Sequence, residues 1–122
     1  MKYMLLCYDD EKAWEEAGPA ALKEAMNEAI ALTHELGAKG QFVTAAPLHT
    51  SNSAVSLRIR DGKQQVTDGP FAETREVLGG YYIIDVDNLD QAIQIAERHS
   101  GVKYGAVEIR PILEIPNLPA AK

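Results

Sequence analysis

The sequence predicts a single α+β domain, and three observations carry that prediction. Strand-like and helix-like segments alternate along the chain, two segments have amphipathic helical spacing, and the opening stretch KYMLLCY is apolar at nearly every position. The 122 residues suffice for one hydrophobic core and not for two. A composition 46% hydrophobic and 25% charged is that of a globular chain, not of a disordered or fibrous one. Residues 1–122 are therefore expected to form one domain, with a Pro-bearing, loosely held tail over 115–122.

Lys2 to Tyr8 reads as a central strand covered on both faces. The acidic segment from Asp9 to Gly18 predicts a short helical turn, and Pro19 suits the first position of the helix that follows. In that helix Leu22, Ala25, Met26, Ala29, Ile30, Thr33 and Leu36 recur at three- and four-residue spacing, and Gly37 and Gly40 are expected to end it. QFVTAA reads as a second strand reaching Pro47.

From Ala54 to Arg60 apolar Val55, Leu57 and Ile59 alternate with Ser56, Arg58 and Arg60. The Asp61-Gly62 pair that follows predicts a type I′ hairpin turn, with KQQVT as the return arm. The return arm ends at Asp68-Gly69-Pro70-Phe71, read as an ordered loop because Gly and Pro together oppose strand pairing. After Gly79-Gly80 the run YYIIDV has strand composition, Asn88 and Gln91 form a capping box for a helix over Leu89, Ala92, Ile93 and Ala96, and Gly101 is expected to end it. AVEIRPIL is the last strand. The order is a split βαβ pattern with its helices gathered on one face, a ferredoxin-like βαββαβ plan with an inserted β-hairpin. Two helices cover only one face of such a sheet, yet the first strand is apolar on both, so a second copy is expected to cover the other.

Twelve basic against eighteen acidic residues give a net charge of -6, which disfavours nucleic acid and anionic lipid as partners. No run approaches a membrane span, and the apolar first eight residues are too short for a signal peptide. One cysteine, Cys7, excludes an internal disulfide and a multi-cysteine zinc site, and in an apolar strand it reads as a small filler. A cytoplasmic location is the expectation. There is no phosphate loop, dinucleotide glycine fingerprint, G-x-S-x-G elbow or His pair at metal-ligand spacing, so no cofactor and no metal are expected.

The most distinctive string is Asp68-Gly69-Pro70-Phe71-Ala72-Glu73-Thr74-Arg75-Glu76, followed by Val77-Leu78-Gly79-Gly80-Tyr81-Tyr82. It resembles the signature of the DGPF subgroup of the YCII-related family, and Glu108-Ile109-Arg110-Pro111 resembles that subgroup's last strand. The resemblance runs from Met1 to about Leu113 and implies a bacterial, homodimeric α+β barrel in which the open sheet faces of two protomers pack together. For function it implies little. Most members of the subgroup have no assigned reaction, some relatives in the wider family are viewed as small-molecule enzymes using a His and Asp pair, and others are encoded near alternative sigma factors. The wider family's histidine sits toward the start of the first long helix, where this chain has Ala20, Ala21, Leu22, Lys23 and Glu24.

Residue by residue, Asp68 at a tight turn is a candidate general base or ligand anchor, with backbone-bonding turn former as the plainer reading. His49, just past the second strand, is the best-placed imidazole for proton transfer at a cleft mouth, or else an exposed loop residue. Phe71, Glu73 and Arg75 are candidate ligand contacts, with core plug and mutual ion pairing as the alternatives. Glu108 and Arg110 share one side of a strand and are expected to line the barrel side and orient a small carboxylate or carbonyl, or to pair with each other. Tyr8, Tyr81 and Tyr82 are core candidates, Tyr82 being taken as the one whose hydroxyl reaches the cleft; His99 is read as a partner of its helix's C-terminal dipole.

Two functions remain open. The first is a small-molecule binding or regulatory homodimer whose ligand is a small polar molecule. The alternative is a cofactor-free acid-base enzyme, lyase- or hydrolase-like, acting on a small organic substrate, which requires Asp68, His49, Glu108 and Arg110 to converge.

Overall fold

The computed structural model describes residues 1–70 and 75–119. Its elements are β1 (Lys2–Asp10), α1 (Glu11–Ala17), α2 (Pro19–Ala38), β2 (Phe42–Pro47), β3 (Val55–Arg60), β4 (Lys63–Asp68), β5 (Glu76–Asp85), α3 (Leu89–Glu97) and β6 (Gly105–Pro111). Four strands form one sheet in the order β2-β5-β1-β6, with every neighbouring pair antiparallel; β3 and β4 form a separate two-stranded hairpin. Among the described residues the fold is mixed α+β, with three α-helices and antiparallel sheets.

Period-two alternation decides what each face of the sheet holds. On β1 the odd positions Tyr3, Leu5 and Cys7 are buried, and with Tyr82 and Ile84 of β5 they meet Leu32 and Leu36 of α2 and Ala92, Ile95 and Ala96 of α3. Val107 and Ile109 of β6 and Ala45 of β2 pack against the same cluster. The even positions Met4, Leu6 and Tyr8 face the other way and are only partly buried. Opposite them stand Ile83, Tyr81 and Leu78 on β5, and Arg110, Glu108 and Ala106 on β6. The central strand is thus apolar on both sides, as its composition requires, but only one side lies in the core.

Local chemistry accounts for most element ends. Asp10 caps α1, its side chain accepting from Ala13 N at 3.1 Å, so the expected turn before Pro19 is a complete short helix. At the end of α2 the N–H of Gln41 donates to Leu36 O at 2.9 Å, a closure that places Gly40 at φ +71°; Gly37 remains inside the helix and does not stop it. Asn88 Oδ1 accepts from Gln91 N at 3.0 Å, and Gln91 Oε1 accepts in return from Asp87 N at 2.9 Å. This box starts α3, which ends at Glu97; Gly101 belongs instead to a 3₁₀ turn over 100–103. Asp61 and Gly62 have φ of 53° and 74°, the paired left-handed geometry of a type I′ turn.

The glycine pair expected to precede the penultimate strand lies within it. Tyr8 is opposite Leu78 and Cys7 opposite Gly80, so Gly79 is the extra residue of a β-bulge. A methyl group at Gly79 would meet Asp9 Oδ2 at 1.7 Å, and one at Gly80 would meet Ala46 O at 2.9 Å. Both glycines admit close neighbours and do not break the strand. Beyond Pro111 there is no further helix or strand among the described residues, and Leu113, Ile115 and Leu118 are exposed.

Candidate functional site

The open face of the four-stranded sheet is apolar along β1 and β5 and becomes polar at its β6 margin. There Tyr8 Oη donates to Glu108 Oε1 at 3.3 Å, and Arg110 Nη1 lies 3.8 Å from Glu108 Oε2. Desolvation, then the adjoining Glu108 carboxylate, raise the Tyr8 phenol, which keeps it a donor. Glu108 and Arg110 stand opposite the core, as the strand's alternation predicts, because Val107 and Ile109 occupy the helix side. Both are more than two-fifths exposed, 48% and 69% of the side chain, so their long pair leaves the guanidinium available to a second acceptor.

His49 lies at the other edge of the sheet. With Leu48, Thr50, Ala54, Pro70, Val77 and Leu78 it borders an apolar cleft of about 400 Å³ at the base of the hairpin. Leu78 belongs both to this cleft and to the open face, where it stands opposite Tyr8. Asp68 ends β4, two residues before Pro70, and its carboxylate is exposed. Among the described residues the Asp68 side chain makes no hydrogen bond. Backbone groups of Gly69 hold the turn instead, its N–H donating to Ala54 O at 2.7 Å and its carbonyl accepting from Ser56 Oγ at 2.6 Å. Gly69 has φ +98°, which explains the glycine after Asp68. Phe71 and Glu73 lie outside the described residues.

Arg75 and Tyr82 have structural partners. Arg75 Nε donates to Asp10 Oδ2 at 2.6 Å and latches the start of β5 to the cap of α1. That hydrogen bond first, and the one from Ala13 N second, hold the Asp10 carboxyl below the usual carboxylate range. Next to it, Glu11 accepts from Ser51 N at 2.8 Å and from Ser51 Oγ, so of these adjacent acids Asp10 holds the start of β5 and Glu11 holds the Ser51 side of the cleft. Tyr82 is buried in the core, on the face away from Glu108 and Arg110, and its phenol is pushed up to about 12 by burial. Its neighbour there is the His99 ring, edge-on at 5.3 Å between centroids.

Sequence reasoning missed Asp9 and misassigned His99. Asp9 follows the core residues Tyr3, Leu5 and Cys7 on the same side of β1, faces Gly105 across the ladder and fills the space left by Gly79. Desolvation raises its pKa, the Trp14 hydrogen bond opposing the shift and Glu11 reinforcing it. Burial, reinforced by Asp9, likewise pushes the neighbouring Cys7 thiol up to about 12, in keeping with the small-filler reading of this buried side chain. His99 Nδ1 accepts from Gly101 N at 3.1 Å, which leaves the proton on Nε2 in the neutral ring. Burial lowers its pKa, which disfavours the cation that a helix dipole would stabilise. One signal for Asp9 was present in the sequence, the D-D-E run ahead of a helix.

The depressed His99 pKa has a definite sign. The unfolded chain takes up the proton below the ordinary value of 6.5 and the folded chain does not, so stability is full above 6.5 and declines as pH falls below it. Unfolding free energies from urea titrations between about pH 7.5 and about pH 5.5 should fall more steeply for the wild type than for His99→Gln, by at most about 1.4 kcal/mol per pH unit for one proton. Parallel profiles would show that His99 titrates normally in the fold.

With this geometry in place, the family is decided by similarity along the chain. The model of the YCII-related domain matches residues 1–116. The chain belongs to the YCII-related family. Within reach of this YCII-related chain is an uncharacterized protein of Rhizobium meliloti, 34% identical over 114 residues that cover 92% of each chain. The family match therefore spans the open face, the hairpin, the bulge and the β6 margin together, and it names no reaction. No helix is long and apolar enough to cross a membrane, and no group of three or more His, Cys, Asp or Glu could hold a metal, in both cases among the described residues.

Proposed function

We propose that this chain is a DGPF-type member of the family that works as a homodimeric small-molecule binding or regulatory module. Two ferredoxin-like protomers pack by their open sheet faces into an α+β barrel, and Arg110 takes the carboxylate or carbonyl of a small polar ligand. The carrying observation is the open face itself: apolar Met4, Leu6, Leu78 and Ile83 bounded by the Tyr8, Glu108 and Arg110 cluster. An apolar face of this kind needs a cover, and a charged pair at its margin gains most from a polar partner once water is excluded. The strand order β2-β5-β1-β6, with α2 and α3 both contributing to one core, supports the ferredoxin-like plan.

The same sheet order weighs against the acid-base enzyme built on Asp68, His49, Glu108 and Arg110. His49 follows β2 and the other pair sits on β6, at opposite edges, three strand spacings or about 14 Å apart within a protomer. A catalytic reading of the cleft alone has His49 on an apolar wall as its support. Light scattering at micromolar concentration should give twice the 13.3 kDa chain mass. Titration with a panel of small carboxylic acids, followed by amide chemical shifts, should perturb the residues around Tyr8, Glu108 and Arg110, and Arg110→Ala should weaken binding about tenfold, as loss of one charge-assisted contact does. A monomer, or perturbations confined to the surroundings of His49, would overturn this reading.

A further inference from the structure

The β3–β4 hairpin carries a second uncovered apolar face, separate from the sheet. Val55, Leu57 and Ile59 project to one side of β3, and Val66 stands opposite Leu57 on β4. These four are 64%, 51%, 72% and 59% exposed. The other side holds Ser56, Arg58 and Arg60, and Ser56 is the buried residue that ties the base of the ribbon to Gly69. An isolated two-stranded ribbon is marginal in water, yet this one keeps six regular pairs and a type I′ turn while presenting its best strand-forming side chains to solvent. Such a ribbon gains stability by laying that face on another surface.

Charge identifies the surface. The outer half of the hairpin, residues 58–63, carries Arg58, Arg60 and Lys63 against Asp61, in a chain with 12 basic and 18 acidic residues overall. The remainder of the molecule is therefore more acidic than the whole. Arg60 and Lys63 form a cross-strand pair on the side opposite the apolar row, so with that row laid on a partner they stand at the rim of the contact, where the acidic body of a second copy attracts them and a basic partner would repel them. Position agrees. The hairpin springs from the cleft bordered by Ala54, Pro70 and Leu78, and Leu78 is also part of the open sheet face proposed above as the dimer contact. Apolar surface thus runs from that face to the foot of the arm.

We propose that the β3–β4 hairpin is an intersubunit arm that packs Val55, Leu57, Ile59 and Val66 against a second copy of this chain. The inference rests on the dimer reading and adds the arm to it. Sedimentation equilibrium tests it with three variants: Leu57→Asp with Ile59→Asp, Arg60→Gln with Lys63→Gln, and Leu6→Asp on the sheet face. The apolar arm pair should raise the dimer dissociation constant at least about tenfold, as loss of a central apolar contact does, with circular dichroism unchanged. The charge pair should weaken the dimer at low salt and remove the salt dependence that the wild type shows. Leu6→Asp should be monomeric. A wild-type affinity in the apolar arm pair, with Leu6→Asp monomeric, removes the arm and leaves the sheet-face contact. A wild type that is monomeric at every concentration removes the dimer reading, and the arm with it. A dimer that survives Leu6→Asp but is lost in the arm pair upholds the arm and removes the sheet-face contact.

Discussion

Gly105→Ala should destabilise the fold by about 3 kcal/mol, the upper part of the usual range for forcing an extra methyl group into a packed site. The added carbon would meet Tyr8 O at 1.9 Å, Tyr8 C at 2.9 Å and Asp9 Cα at 3.2 Å. All three are backbone atoms of the central strand, so no side-chain rotation relieves the collision. Gly105 stands opposite Asp9 and its neighbour Ala106 opposite Tyr8, and the adjoining Asp10 N donates to Tyr104 O at 3.2 Å. Relief therefore means parting β6 from β1 at the end where Asp10 also caps α1 and holds Arg75. Gly37→Ala is the matched control: it lies in α2 with open space around its missing side chain, and should be stabilising by up to about 1 kcal/mol. Urea unfolding of the two variants checks both. Equal midpoints would mean that β6 can shift without cost and that the close approach is incidental.

The contrast between those two glycines shows where the sequence speaks and where it is silent. Local signals gave nearly all the elements: Asp61-Gly62 marks its hairpin, Asn88 with Gln91 marks the start of α3, and the alternation of Val107 and Ile109 with Glu108 and Arg110 assigns the faces of β6. Each of these is settled within a few residues. Gly79 and Gly105 cannot be read that way, because what demands glycine is an atom of β1 roughly seventy to a hundred positions away. Arg75 likewise meets Asp10 across a separation of 65, and sequence order gives no hint of the pair. His99 looked like a helix-end cation because it follows α3, whereas the 3₁₀ turn after it folds the ring inward onto Tyr82. Of the candidate site, the shared side of Glu108 and Arg110 was legible from period two. Their separation from His49 was not, since it depends on which strands become edges.

Asp9 and Gly79 should prove energetically coupled, which makes them the sharpest test of the bulge. In the wild-type background Gly79→Ala places a methyl 1.7 Å from Asp9 Oδ2 and 2.6 Å from its Cγ, and should cost about 2 kcal/mol. The Asp9 side chain is short and half-buried, and turning it aside would give up the Trp14 hydrogen bond that offsets part of its desolvation. Asp9→Ala deletes both colliding atoms and leaves only Cβ, at an ordinary 3.4 Å from the new methyl. Gly79 lacks positive φ, so alanine can adopt its backbone conformation, and in the Asp9→Ala background the substitution should be neutral or mildly stabilising. The cycle therefore carries an interaction energy of about 2 kcal/mol, within the range seen for residues in direct contact. Asp9→Ala alone should cost little at neutral pH, because it removes a carboxylate whose charged form burial already disfavours. The Asp9 contribution runs opposite to that of His99: with the folded pKa raised, stability is lost as pH climbs through it. Denaturant midpoints of the four proteins decide the matter. Strictly additive effects would show that Gly79 is required by the backbone geometry of the bulge and not by the carboxylate lying over it.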